Sequence, residues 1–425
     1  MRKNRLFCLF CLLSAVLSVV PITLSYSQEE QIISLDSLIE EAIKNNPQIL
    51  SAQKRYEASY ARISQASSLE DPSLEFAYDK MIPQMTGMKP PMRTYGISQE
   101  LPFPTKLFLK RKIARKEAEM AFQDYQEKER AVIQEIKSEY AELFLVYRSI
   151  AINEENKALL EQFAGSAASR FSLGKATQQD ALKAQVELAK VNNELIILEQ
   201  KRQITQAKLN ILLNRDPRQE LGKPAILQKE AMELSLDELY AATKKSRPEL
   251  LSFRYAVDRG KSAYALARHE YLPDFMVKYE RQTVNGEAGP WTGMVGMTFP
   301  FWFWEKQNYG VKEMRAELEM AEAEYKTMEN MILFEVNDAV ARIESFNKLI
   351  EIYETSFLPQ AEQALKSSLT GYEANKIDFL NLLDSQRMLL EIKLDYYRAL
   401  VDLQIAYADL ERSVGKNVVG QRGAK

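Results

Sequence analysis

Cysteine is nearly missing from this chain. Of 425 residues only Cys8 and Cys11 are cysteines, both inside the apolar N-terminal stretch, so disulfides and thiolate chemistry are excluded from everything beyond it. His269 is the only imidazole, too few for a catalytic relay plus a metal site. No Gly-x-Ser-x-Gly elbow and no phosphate-binding glycine loop occurs, so nothing in the chain is poised for catalysis and no cofactor is called for. Charge of one sign is also lacking: 56 basic and 59 acidic residues are interspersed, which argues against a nucleic-acid surface. Beyond Leu6 to Val20 no apolar run approaches the ~20 residues that a membrane-crossing helix needs.

The N-terminus has the order of an export signal. Arg2, Lys3 and Arg5 precede the apolar run, and Ser25-Tyr26-Ser27 offers a small-x-small cleavage site, giving a signal peptide over 1–27 and a mature start near Gln28. Phe7 and Phe10 stand before the two cysteines where lipid attachment needs a small residue, which excludes a lipoprotein. An exported chain without apolar helices is either periplasmic or crosses a membrane as strands.

What the sequence does contain is itself, twice. Leu35-Asp36-Ser37-Leu38 with Pro47 returns as Leu236-Asp237-Glu238-Leu239 with Pro248, 201 positions on (236 − 35 and 248 − 47). Pro72 returns as Pro273 and Gln185 as Gln386 at that offset, whereas Arg115, Glu117, Glu119 and Tyr125 return one position earlier as Arg315, Glu317, Glu319 and Tyr325. A unit of about 200 residues is far longer than a solenoid period and indicates a duplicated domain. The first repeat spans 28–229, with strands about 72–80 and 93–103 and a helical hairpin about 106–214. The second spans 230–425, with strands about 273–283 and 291–301 and a hairpin about 304–414.

Helical periodicity dominates each repeat. From Lys106 to Ala164 there is neither proline nor glycine, a run of roughly 90 Å at ~1.5 Å per residue, too long for a globular helix. Ile136, Tyr140, Leu143, Tyr147 and Ile150 step 4-3-4-3, and the second copy answers with Val336, Val340, Ile343, Asn347 and Ile350. After the turn, Ala184, Leu188, Val191, Leu195 and Leu198 form another seam, echoed by Ser385, Leu389, Ile392, Tyr396 and Ala399. Four short segments follow a period of two instead. Leu74, Phe76 and Tyr78, then Tyr95, Ile97 and Leu101, alternate with polar or small residues, as do Phe275, Val277 and Tyr279, then Trp291, Val295, Met297 and Phe299. One apolar and one polar face per strand is the pattern of an outer-membrane barrel, and four strands cannot close one. Three chains would supply twelve.

These residues resemble the TolC-like outer-membrane efflux proteins over nearly the whole mature chain and both copies. The likeness runs through Leu35-Asp36-Ser37-Leu38 with Ala42 and Asn46-Pro47, the strand exit Gln99 to Pro104, the turn Arg170-Phe171-Ser172-Leu173-Gly174, and Leu209-Asn210-Ile211-Leu212-Leu213. The Pro-Phe-Pro exit is similar to that of the cation-efflux branch. The resemblance implies a mainly α fold with a membrane β-barrel portion: a homotrimer forming a 12-stranded barrel and a periplasmic α-helical barrel. It also implies a passive duct in the outer membrane of a Gram-negative bacterium, in contact with outer-membrane lipid. An inner-membrane pump of the RND type and a periplasmic adaptor (membrane fusion protein) would feed it. The competing reading is a periplasmic coiled-coil scaffold or adaptor without a conducting pore, against which the alternating strands speak.

Function in such a duct concentrates at the helical turns. Gly174 and Asn375 occupy equivalent places, suited to the left-handed backbone that ends a helix. By resemblance, Asp180 and Tyr372 match a hydrogen-bonding pair that ties neighbouring coils, and Asp384 matches the inner of two aspartate rings in the pore. The chain departs from the family pattern at Asn381, where the other ring has Asp, and at Ile377, where a locking Arg is expected, which implies a single-ring, more weakly locked tip. A separate signal is the cluster Met81, Met85, Met88 and Met92, four of fifteen methionines within twelve positions of the first interstrand loop. Thioethers suit soft ions such as Cu(I), but the matching loop Asn285 to Gly289 has no methionine, and drift in loop composition gives the same picture.

Overall fold

The computed structural model describes residues 32–79, 92–227, 235–284 and 286–418. The signal segment, and with it Met81, Met85 and Met88 of the interstrand loop, lie outside the described residues. The first copy runs β1 (Ile32–Ile33), α1 (Leu35–Asn45), α2 (Pro47–Ala66), β2 (Ser73–Asp79), β3 (Met92–Leu101), α3 (Pro104–Ser172), α4 (Gln178–Leu212) and β4 (Lys223–Pro224). The second runs α5 (Leu236–Ser246), α6 (Pro248–His269), β5 (Asp274–Val284), β6 (Glu287–Thr298), α7 (Lys306–Ile352), α8 (Leu358–Glu373) and α9 (Phe379–Val414). No helix among the described residues is long and apolar enough to cross a membrane.

The four long strands form one antiparallel sheet in the order β2-β3-β5-β6, leaving β2 and β6 with open edges. Strand pairing aligns the two patterns. Leu74 lies opposite Ile97, which faces Tyr279 in turn, so the apolar residues share one face. That face is open: Leu74 is 81% and Val295 78% exposed. On the other face Lys278 pairs with Glu75 of β2 and with Glu280 of its own strand, each at 2.6 Å. β6 begins four residues before the segment expected from alternation. Gly286 stands in the turn with φ +84°, and Gly289 and Pro290 already belong to the strand. Proline is tolerated there because β6 is an edge strand.

The helices continue from the sheet. α3 is a single helix of 69 residues, on the order of 100 Å long. Its N-terminus is clamped to the neighbouring strand: Asp274 accepts a hydrogen bond from the backbone N–H of Phe103 at 2.8 Å and pairs with Lys106 at 2.9 Å. Lys106 is buried and also reaches Glu270 at 3.3 Å. The heptad positions form the cores. Ile136, Tyr140 and Leu143 pack with Leu38, Ala42 and Leu209, and in the second copy Val336, Val340 and Ile343 pack with Leu239, Leu403 and Leu410. At the head of α2, Asn46 accepts from Gln48 N (2.8 Å) and Ile49 N (3.3 Å) and donates to Leu212 O (2.8 Å). Its counterpart ahead of α6 is Arg247, 2% exposed, which donates to Arg412 O and pairs with Glu249.

The second long helix is interrupted once, by a π turn at Tyr353–Phe357 just before Pro359. Proline cannot donate to the helical ladder, and a wider turn accommodates it. The turn also explains the offset between copies. Seam residues before it match at 200 (Ile150 and Ile350), while the left-handed residues after it match at 201 (Gly174 and Asn375). One additional residue enters the second copy here, and the π turn holds it.

Candidate functional site

Both hairpins turn at the ends farthest from the sheet on one residue of left-handed backbone, Gly174 with φ +68° and Asn375 with φ +57°. The closing bonds are equivalent: Lys175 N donates to Arg170 O and Lys376 N to Gly371 O, each at 2.8 Å, the six-to-one bond of a helix ending in such a residue. Each next helix starts on a side-chain cap. Thr177 and Asp180 cap each other reciprocally at the head of α4, through Asp180 N to Thr177 Oγ1 (3.3 Å) and Thr177 N to Asp180 Oδ2 (3.1 Å). Asp378 accepts from Asn381 N at 3.0 Å at the head of α9.

The two turns are tied by Arg170. Its guanidinium donates to Tyr372 O at 2.7 Å and to Asn375 Oδ1, and lies over the Tyr372 ring at 4.5 Å. Tyr372 is buried with Phe379, ring centroids 5.5 Å apart, in a core shared with Leu160, Phe163, Leu382 and Leu383. Its hydroxyl has no hydrogen-bond partner among the described residues. Burial pushes the phenol above its usual range; the Arg170 charge opposes this and the Asp180 charge adds to it. Asp180 is therefore close enough to be felt electrostatically, while its carboxylate is engaged in capping α4. Ile377 fills the space beside Gly371, where an added Cβ would come within 3.2 Å of its Cγ1.

Asn381 and Asp384 lie three positions apart on the first turns of α9, both exposed and away from the Tyr372 cluster. Asp384 meets Arg387 at 3.5 Å, and Arg387 in turn pairs with Glu187 of α4. Glu187 also receives Lys190 at 2.8 Å. Burial would raise the Glu187 carboxyl, but the hydrogen bonds from Arg387 and Lys190 outweigh it and hold the group below the ordinary glutamate value. Met92 opens β3, and among the described residues no group of histidine, cysteine or carboxylate side chains is arranged to hold a metal. The sequence marks Arg170 by its repeat equivalent, Gly371: a cation in one copy stands where the other has no side chain.

A sheet with one lipid-type face and two open edges, continued by helices of this length, is one wall segment of an outer-membrane duct. The sequence profile of the outer membrane efflux protein family matches residues 38–215 and again 239–416, and the chain belongs to that family. The chain is 24% identical over 262 residues to the cobalt-zinc-cadmium resistance protein CzcC of Cupriavidus metallidurans, covering 60% of this chain and 60% of that one. The fold is shared with VceC of Vibrio cholerae (TM-score 0.78, 18% identity, 90% of this chain and 96% of that one). It is likewise shared with CusC, described as a transmembrane channel (TM-score 0.79, 15% identity, 90% and 92%).

Proposed function

We propose that three copies of this chain close into one passive exit duct, a twelve-stranded barrel leading into an α-helical tunnel, with the energy for transport supplied elsewhere. The observation that carries this reading is the pair of open edges on β2 and β6, which in a closed ring pair with each other across the chain boundary. α7 supports it. Tyr309, Glu313, Ala316, Met320, Ala323, Thr327, Met331 and Phe334 follow one another in steps of three and four and are all exposed, a coiled-coil seam without a partner among the described residues. Repetition of the sheet order would set that seam against α2 of the next chain.

At the tips, Asp384 from three chains forms one anionic ring and Asn381 a neutral one, with Tyr372 and Asp180 set against the neighbouring coil. The likeness to a cobalt-zinc-cadmium resistance protein favours metal cations as cargo, delivered by an RND-type pump through a membrane fusion adaptor. The repeats divide near residues 229 and 230. Mass photometry of detergent-extracted protein, followed by planar-bilayer recording, tests the reading. Three protomers and discrete channel openings are expected; a stable monomer without conductance overturns it.

A further inference from the structure

The two repeats pack the equivalent helix pair differently, and the difference leaves a cavity. In the second copy α6 closes on α7 because Gly260 has no side chain and Leu318 lies against it, only 3.2 Å from where a Cβ would stand. The first copy has Ser59 and Ala118 at the equivalent positions, so the leucine that fills this space is absent. Between α2 and α3 there remains a cavity of about 810 Å³, large enough for a small organic molecule.

Its lining is selective. Tyr56, Tyr60, Phe108 and Phe122 supply aromatic surface, with Tyr56 and Phe122 centroids 5.2 Å apart, while the Tyr255 ring, also in the lining, is covered by Lys116 at 4.8 Å. Arg111, Lys112 and Arg115 supply charge. The lining carboxylate, Glu119, is already held by Lys116 at 2.7 Å and Arg115 at 3.3 Å, whereas Arg111 and Lys112 have no ion-pair partner among the described residues. Gln123, 7% exposed, lines the same cavity with its Oε1 unpartnered, and a buried acceptor left without a donor is costly. The second copy has Glu322, Ala323 and Lys261 where the first has Phe122, Gln123 and Tyr60, so it carries no such constellation.

We propose that the cavity between α2 and α3 is a binding site for a planar aromatic anion that also carries a hydroxyl or N–H donor. The rings stack on the ligand, Arg111 and Lys112 pair with its anionic group, and Gln123 accepts from its donor. The site lies outside the coil tips and stands apart from the duct reading.

Equilibrium dialysis of the full-length purified protein against 6-hydroxynaphthalene-2-sulfonate tests it, with 2-naphthol and 6-(aminomethyl)-2-naphthol as neutral and cationic probes in matched detergent. One saturable site per chain is expected for the anion, at least tenfold tighter than for either analogue. Arg111→Gln with Lys112→Gln should weaken it tenfold or more, and Ala118→Leu, which supplies the leucine of the second copy, should abolish it. In the unaltered protein the anion should slow acetylation of Lys112, read by mass spectrometry, so the outcome does not hang on variants folding. Equal uptake of all three probes, undiminished binding in Ala118→Leu, or a Lys112 shielded before any probe is added because a neighbouring chain fills the groove, each overturns the proposal.

Discussion

Arg170 lies across the ring of Tyr372 at 4.5 Å while donating to that residue's own carbonyl at 2.7 Å, so one side chain on α3 fixes both the ring and the backbone at the end of α8. The first repeat thereby holds the tip of the second. The Tyr372 hydroxyl is buried and has no partner among the described residues.

Replacing Arg170 by Ala should loosen the second turn by about 2 kcal/mol, the net value of a charge-assisted hydrogen bond with some cation–π attraction. Amide exchange at Gly371 to Asp378 should accelerate roughly thirtyfold. Arg170→Lys keeps the charge but not the two-pronged geometry, and should recover only part of the protection. Unchanged exchange in both variants would mean that the apolar core under Tyr372 holds the turn alone.

Asp180→Ala should cost about 1 kcal/mol at the head of α4, because it removes one half of a reciprocal cap. Tyr372→Phe should cost the isolated chain nothing. In the assembled channel it should raise resting conductance if its hydroxyl is bonded across the chain boundary. Bilayer recordings of the two variants separate the effects: a local cap alone leaves Tyr372→Phe with wild-type conductance.

If Asp384 forms the one anionic ring, trivalent cations should block current at low concentration, since three carboxylates in a narrow lumen bind multivalent ions strongly. Asp384→Ala should relieve the block. Asn381→Asp should add a second ring and tighten it. Block that is indifferent to both substitutions places the constriction elsewhere.

Charge on the apolar face of the sheet should fail to insert. Phe76→Lys places an ammonium among lipid chains at a cost of ~2–4 kcal/mol near the midplane. Ala77→Lys, one residue on and on the opposite face, should be tolerated. Heat-modifiable trimer on electrophoresis of outer-membrane fractions distinguishes them, and equal loss in both would reverse the assignment of faces.

Acid should open the link between α4 and α9. The Glu187 carboxyl is held below its ordinary value by Arg387 and Lys190. Its contribution to stability is thus present above the unfolded value near 4.5 and is lost as pH falls through the lower folded value. Exchange at residues 184–190 should rise below pH 4.5 in the wild type, with a smaller change in Glu187→Gln.

Period and repetition made most of this molecule legible in advance. Seam positions such as Ile136 and Val336 are fully buried, and Phe76 and Tyr95 lie side by side on the open face of the sheet, because local periodicity dictates which face a residue takes. What escaped depends on contacts between elements. Gly289 and Pro290 look like a loop until β6 is known to be an edge strand. The cavity between α2 and α3 follows from Ala118 where the other copy has Leu318, a difference in volume that no single helix reveals. At the tip, the backbone of Gly174 and Asn375 was readable because left-handed geometry selects those residues. The bond partners of Asp180 were not, since an aspartate three positions after Thr177 serves a cap as readily as a neighbour.

The π turn at Tyr353–Phe357 bears on how such a wall changes over generations. One residue added to an uninterrupted helix turns everything beyond it by about 100°, which here would swing Tyr372 out of its core and Asp384 to another side. Because the added residue is stored as a wide turn, the helix beyond keeps its orientation, and the tip is insulated from length changes nearer the membrane. The interrupted helix is therefore the one that tolerates insertion and deletion. Its uninterrupted twin, α3, offers no such slack and sets the ruler against which the tunnel's length is kept.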